Sequence, residues 1–267
     1  MKNRRLGSCE GQIDTSMVPS TTLYRASTFS LASLKTEPLP PYAVYRLLMV
    51  DAKLRIVSAK KVLNRSVPML DHSALDVEYC YLQVRRVIED VTFGAMIREE
   101  TRYRDLRQGE NANNPRGNTD PSKDWQAPEI LKRLVTLSPH ALPIPHKDAV
   151  ELAPGVLHLD RETVNVNHAR LIDIYKRCGS FLHGSNPLRE NYQDQIESDR
   201  RKYASAPSEL AKTLNFLQKL LWQHAAISIE PSSSGKPTEP ASPREAWLLN
   251  FGSEASPEVQ IIFAEAT

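Results

Sequence analysis

The sequence predicts a mainly α-helical protein of the α+β class, a four- to five-helix bundle with two small β elements. The prediction rests on proline placement, on glycine content and on apolar periodicity. Nineteen prolines but only ten glycines occur in 267 residues. The prolines are largely confined to joints between long proline-free windows, and these windows carry apolar residues at helical spacing. Because proline breaks helix interiors and glycine weakens them, this distribution favours helices separated by short loops.

Residues 1–41 precede the first periodic segment. They are rich in serine, threonine and leucine, end in a proline cluster and show no sustained period. We therefore predict a flexible N-terminal arm over residues 1–41.

The first helix is predicted over about residues 42–64. Four apolar residues at alternating three- and four-residue spacing indicate an amphipathic helix: Leu47, Val50, Leu54 and Val57. Three basic residues recur every seventh position and form a basic stripe: Arg46, Lys53 and Lys60. Two interpretations of the basic stripe remain open, contact with a nucleic-acid backbone and an ordinary solvated face.

A longer second helix is predicted from the N-cap Ser73 to about Arg107, with Asp76 as the acid of a weak capping box. The next stretch, 109–125, is rich in glycine, asparagine and proline and predicts a loop. A short helix then begins at Ala127, with proline in its first turn, and ends before Pro139.

The period changes at residues 148–162, where alternation around Ala153-Pro154-Gly155 predicts a β-hairpin. Asn165 or Asn167 is expected to cap a helix that ends near His183, and residues 209–223 predict another helix. The polar and charged stretch 188–206 is compatible with a helix but is predicted to be poorly packed. Three strands are expected near the C-terminus, at 226–230, 246–251 and 259–266. The predicted organisation is the arm, a helical domain over 42–225 with the hairpin inserted, and a β appendage over 226–267.

Composition excludes several classes of protein. No apolar run approaches the roughly 20 residues of a transmembrane helix, so we expect no membrane partner. A net charge of +2 argues against a protein that is polybasic throughout. Three isolated cysteines are too few for a disulfide framework, and they suit a reducing compartment. With no visible secretory signal, the chain is predicted to be cytoplasmic.

Most candidate sites fail on spacing or context. His140 and His146 bracket a proline-rich loop and lack the further ligand pair that zinc requires, so no metal or other cofactor is predicted. His168 and Cys178 fall on the apolar stripe of their helix and are expected to be core or boundary residues. Phosphate-binding loops, dinucleotide fingerprints and nucleophile elbows are absent from the sequence.

One constellation remains, RCGSFLH, which runs from Arg177 to His183 near the end of a predicted helix. Arginine and histidine occur at comparable spacing in three further pairs, but only this pair lies on one continuous, proline-free helix. An arginine and a histidine separated by four to six residues, late in a helical bundle, resemble the motif of the HEPN superfamily. The resemblance would cover about residues 42–225.

The resemblance implies a metal-independent endoribonuclease, in a group that includes many toxins and defence effectors. Arg177 and His183 would be catalytic, with histidine moving protons and arginine holding the phosphate. Lys176 and Ser180, together with the basic stripe, would bind RNA. Because one chain supplies a single motif histidine, the resemblance also implies a homodimer, and an antitoxin or other regulatory protein would be a further partner.

Two non-enzymatic interpretations stay open. In the first, the helix simply ends at His183-Gly184 and Arg177 lies along an interface, in a regulatory protein that binds nucleic acid or a partner protein. In that case the basic stripe and the strand-rich C-terminal region would be the docking elements. In the second, the chain binds a small ligand in a pocket near Tyr79, Tyr81 and Tyr175, although aromatic residues at helical spacing usually form the core.

Overall fold

A computed structural model describes residues 38–112, 120–138, 140–153, 156–164, 166–184, 188, 191–229 and 243–264. Within these residues the chain is mainly helical, as predicted. The described residues form six α-helices: α1 (Pro41–Leu63), α2 (Ser73–Arg98), α3 (Glu100–Ala112), α4 (Ala127–Leu137), α5 (His168–Leu182) and α6 (Tyr192–Leu221). The strands are β1 (Ile144–Pro145), β2 (Val150–Ala153), β3 (Val156–His158), β4 (Gln223–Ile229), β5 (Pro243–Asn250) and β6 (Gln260–Ala264). The predicted arm lies almost wholly outside the described residues.

Helices α1 and α2 form an antiparallel pair, and α5 and α6 pack against it to complete one hydrophobic core. Gly94 of α2 allows a close approach to α1, because a Cβ atom there would lie 3.0 Å from the Tyr45 ring. At the other end of the pair, the Cys80 thiol donates to the Ala59 carbonyl. The α1–α2 pair is therefore the spine on which the remaining elements are placed.

The buried face of α1 coincides with the predicted apolar stripe only in part, because Val57 is 7% exposed and Val50 packs against the core. Its core residues are Tyr45, Met49, Ala52, Ile56 and Ala59, all 2% exposed or less. Leu47 and Leu54 of the predicted apolar stripe are instead 53% and 47% exposed. Helix α1 thus carries a buried apolar face and an exposed one, and the predicted stripe includes residues of the exposed face, Leu47 and Leu54, as well as the buried Val57.

Two long segments are divided differently from the prediction. The single helix expected from Ser73 to Arg107 breaks at Glu99, which separates α2 from α3. In contrast, α6 continues through Pro207, whereas a polar stretch and a separate helix were expected there. Because Ala206 and Leu210 on either side of the proline are buried, core packing offsets the backbone hydrogen bond that proline cannot make.

The residues at the N-termini of α2 and α5 differ in part from the predicted capping residues. The N-cap of α2 is His72 rather than Ser73, with the imidazole accepting from the Ala74 N–H. The Asp76 carboxylate accepts from the Met69 and Leu70 N–H groups of the preceding turn. Of the two candidates for α5, Asn167 is the cap, and its side chain accepts from the Arg170 N–H.

The predicted hairpin is confirmed as the antiparallel pair β2–β3, and the C-terminal strands form the antiparallel order β4-β5-β6. The sequence missed β1, which pairs with β4 and extends this sheet to four strands. Trp247 and Leu249 of β5 pack in the same core as α1. No helix among the described residues is long and apolar enough to cross a membrane.

Candidate functional site

Arg177 lies on α5 and is fully engaged by α6. Its Nε and Nη2 atoms each donate to a different carboxylate oxygen of Glu209, both at 2.8 Å. Both side chains are 38% exposed, so the pair lies at the surface. The hydrogen bonds to Glu209 raise the pKa of Arg177. A bidentate pair of this geometry occupies the guanidinium fork that would otherwise bind a phosphate.

His183 lies where α5 ends, in extended backbone conformation, and its side chain is exposed. The imidazole folds back along the helix, so that its Cδ2 atom would lie 3.9 Å from a Cβ placed on Gly179. On an α-helix, six residues separate two positions by about 9 Å along the axis and about 120° around it. The structure therefore pairs Arg177 with Glu209 and not with His183.

Lys176 and Ser180, the other residues predicted to bind RNA near the motif, differ in their surroundings. Lys176 is exposed. The Ser180 hydroxyl donates to the Arg177 carbonyl at 2.7 Å, within its own helix. Lys202 of α6 lies over the Phe181 ring at 4.4 Å and donates to the Ser180 carbonyl, so α6 fastens this end of α5.

The basic stripe of α1 faces the segment that joins β5 to β6. Lys53 is only 1% exposed, and its ammonium group donates to the carbonyls of Phe251 and Glu258, the latter at 2.8 Å. Burial lowers the pKa of Lys53, and because its ammonium group is shielded from solvent and held by two carbonyls, Lys53 is not positioned for the RNA contact that we predicted.

The other two members of the stripe contact the same segment. Arg46 is exposed, and its Nε donates to the Val259 carbonyl at 2.8 Å. Lys60 pairs with Glu254 at 2.7 Å and also donates to Gln218. The stripe thus fastens residues 251–259 to α1, a use that its seven-residue period could not reveal.

A buried histidine that the sequence did not single out lies between the helices and the sheet. His224 is fully buried on β4, with Nε2 3.0 Å from the Tyr45 hydroxyl and Nδ1 2.8 Å from the Leu221 carbonyl. A carbonyl can only accept, so Nδ1 carries the proton and Nε2 accepts from Tyr45. Burial lowers the pKa of His224 to about 4, so the ring is neutral near pH 7. This arrangement is a satisfied core contact.

A buried carboxylate lies in the seam between α1 and α2. Asp90 is 4% exposed, and burial together with the nearby Asp51 charge raises its pKa to about 7. The nearest cation is Arg55, whose Nε lies 3.6 Å from Asp90 Oδ2 while the same side chain bonds Asp51 and Gln83 at 2.8 to 2.9 Å. Shifted acids of this kind occur both at functional sites and in structural ion-pair networks.

The three tyrosines expected near a ligand pocket are packing residues. Tyr81 is stacked on Phe181 with ring centroids 3.9 Å apart. The Tyr175 hydroxyl accepts a hydrogen bond from Arg85 and donates one to Glu89, and the Tyr79 hydroxyl is hydrogen-bonded to the Ser58 hydroxyl. A cavity of about 420 Å³ lies elsewhere, between the α1–α2 turn and α6 near Pro207.

The remaining candidates carry no reactive arrangement. Cys178 is fully buried, as predicted, and burial raises the pKa of its thiol to about 12. Histidine, cysteine and acidic residues form no cluster of three or more suited to a metal ion in the part of the chain that the structure describes.

Comparison of the chain with protein-family models, with curated proteins and with solved structures gave no match. The HEPN resemblance therefore stays a prediction made from the sequence.

Proposed function

We propose that this chain is a non-catalytic interaction protein that binds an extended segment of a partner protein along the edge of β6. One observation carries the proposal, the combination of an open strand edge with exposed apolar side chains on that strand. Of the predictions made from the sequence, this corresponds to the interaction protein that uses its strand-rich C-terminal region for docking.

Strand β6 is the last strand of the order β1-β4-β5-β6, so within the described chain only its β5 side is paired. In an antiparallel sheet, alternate residues of an edge strand direct their N–H and C=O groups outward. Ile262 and Phe263 on this strand are 50% and 51% exposed. Proteins usually protect such edges with charges or proline, but residues 260–264 contain neither.

Strand β6 is held in place by contacts with α1 and by pairing with β5. The Tyr42 ring meets Phe263 edge-on with centroids 5.0 Å apart, and Arg46 bonds the Val259 carbonyl just before the strand. Five ladder pairs join β6 to β5, from Ala246↔Ala264 to Asn250↔Gln260. A strand fixed in this way is preorganised for β-augmentation, in which the partner adds a strand and its apolar side chains contact the exposed residues.

Peptide selection tests the proposal. A phage-displayed library of extended peptides would be selected on the full chain, and binding of the enriched peptides measured by fluorescence polarisation. We expect peptides with alternating apolar residues, whose affinity falls about tenfold or more in Ile262→Lys. Leu152→Lys, a substitution of an exposed leucine on β2, is the matched control and should bind normally. Enriched peptides that bind Ile262→Lys and the wild type equally would contradict the proposal.

A metal-independent ribonuclease is the second candidate function. What favours it is that Arg177 is half-buried at the surface and His183 is exposed, on the same half of α5. Glu209 would have to release the guanidinium for phosphate binding, so Glu209→Gln should raise any RNA cleavage measured in EDTA and His183→Ala should abolish it. If labelled RNA stays intact with both the wild type and Glu209→Gln, this candidate is excluded.

A further inference from the structure

Four exposed leucines lie on the outer side of the α1–α2 pair. Two are seven residues apart on α1 and two are seven apart on α2, which places each pair on one side of its helix. They are Leu47 (53% exposed), Leu54 (47%), Leu75 (47%) and Leu82 (43%). We call the surface that carries them the hairpin face.

Contacts between the helices show how the leucines are arranged. Arg55 donates to Gln83 at 2.9 Å, and because the helices are antiparallel, Leu54 and Leu82 lie one on either side of this contact, within one helical turn of each other along the pair. Next to them runs the seam of polar groups, in which Arg55 also contacts Asp51 and Asp90. The hairpin face therefore consists of two leucine ridges on either side of a polar seam.

The other helices pack on different sides of α2. Tyr175 of α5 bonds Arg85 and Glu89, and Tyr203 of α6 bonds Glu78. Within the part of the chain that the structure describes, the leucines of the hairpin face stay 43–53% exposed, so two pairs of large aliphatic residues on adjacent helices are available to a partner.

We infer that the hairpin face is the interface at which two copies of this chain associate. Asp51 and Arg86 are paired within the chain with Arg55 and Glu89, each at 2.8 Å, but their side chains remain 43% and 49% exposed and place charges of opposite sign at the surface. In a two-fold dimer each copy presents the same patch, so a patch that carries both signs can complement itself. Asp51 of one copy pairs with Arg86 of the other, while the leucines supply the apolar contact.

The size of the hairpin face suits a second copy. Helix α1 has 23 residues and is therefore about 34 Å long. Two helices with axes about 9 Å apart present a surface about 20 Å wide, so each copy would bury about 700 Å². The total of about 1,400 Å² falls within the range of specific protein–protein interfaces, about 1,200–2,000 Å².

Sedimentation velocity of the full chain tests the inference. At about 50 µM we expect a species of twice the 30.1 kDa chain mass, corresponding to a micromolar dissociation constant. Leu54→Glu and Leu82→Glu should each weaken association by about tenfold or more, because a charge is buried against the partner. Leu152→Glu, on strand β2 and outside the hairpin face, should leave self-association unchanged. Circular dichroism checks that each variant stays folded.

A charge exchange tests the pairing itself. Asp51→Arg and Arg86→Asp should each weaken self-association, since like charges then face each other in both contacts of the dimer. An equimolar mixture of these two variants should dimerise, because each contact again joins opposite charges.

A chain that stays monomeric at about 200 µM, or a dimer unaffected by Leu54→Glu, overturns the inference. A dimer that dissociates in Ile262→Lys but not in Leu54→Glu would assign self-association to β6 instead. That outcome is distinct from failure of the peptide-binding proposal, which is measured with peptides and not with the chain itself.

Discussion

Helix α1 presents two apolar faces that look alike in the sequence and differ in the structure. The inner face, with Met49 and Ile56, is completely buried against α2 and the sheet. The outer face, with Leu47 and Leu54, is about half exposed. Apolar spacing therefore shows that a face can pack but not that it does. Which face forms the core depends on the neighbouring elements, and these are brought together by long-range contacts.

Truncation of the inner face should have the largest effect. Ile56 is fully buried, so Ile56→Ala removes buried methyl groups and leaves a cavity, at a cost of about 2–5 kcal/mol in the free energy of unfolding. Leu54→Ala, two positions away on the outer face, should change it by less than about 0.5 kcal/mol. Urea denaturation at low protein concentration measures both. Similar losses for the two variants would mean that the two faces are not distinct.

The buried histidine behind the inner face gives a pH dependence. The pKa of His224 is about 4 in the folded chain against 6.5 for the free side chain. Between these values the unfolded chain binds a proton that the folded chain does not, so stability is lost as pH falls from about 6.5 to 4. The loss contributed by this residue is about 3 kcal/mol.

The variant His224→Gln isolates this contribution. Glutamine does not titrate, so the difference in stability between wild type and variant should shrink as the solution is acidified. Urea midpoints measured from pH 8 to pH 4 give this difference directly. A difference that stays constant over the whole range would show that His224 is not the group that titrates.

Lys53 is a cation on the inner side of α1, where the basic stripe would suggest a solvated one. Lys53→Met keeps the aliphatic stem but leaves the Phe251 and Glu258 carbonyls without their donor. We expect a loss of about 2–3 kcal/mol in the free energy of unfolding. Lys61→Met, on the exposed side of the same helix, is the control and should stay within about 0.5 kcal/mol. Equal stability of the two variants would show that the contacts of the buried Lys53 do not stabilise the fold.

Much of the fold could be predicted from the sequence because proline and local periodicity act over short distances. They located α1, α4, α5 and the β2–β3 hairpin, and the burial of Cys178 followed from its stripe. The break at Glu99 and the continuity of α6 through Pro207 were missed, since packing overrides local propensity there. The two-residue strand β1 is too short to show a period at all.

The candidate site was predicted less well, because its character depends on residues far apart in the chain. Nothing near Arg177 in the sequence indicates that Glu209, 32 positions later, occupies the guanidinium. Likewise, Lys53 meets carbonyls about 200 positions away. Asp90 follows Val87 and Ile88 and precedes Val91 on α2, and an acid among such apolar neighbours is a signal that could have been used, since acids are rarely buried without a partner.

Asp90 lies in the seam between α1 and α2, beside the hairpin face, and its titration has the opposite sign to that of His224. Its pKa is about 7 in the folded chain against 3.8 for the free side chain, so the folded chain binds the extra proton between these values. Stability contributed by this residue therefore decreases as pH rises from about 4 to 7. Asp90→Asn is neutral at every pH and still leaves Arg55 its contact with Asp51.

We expect Asp90→Asn to be more stable than the wild type by about 1–2 kcal/mol at pH 8, with the difference closing towards pH 5. Asp51→Asn is the control, because that carboxylate is partly exposed and should contribute less than about 0.5 kcal/mol. Urea denaturation at the two pH values measures each difference. If Asp90→Asn is instead less stable at pH 8, the Arg55–Asp90 contact stabilises the fold more than burial of the Asp90 charge destabilises it. Asp90 would then be a stabilising member of an ion pair.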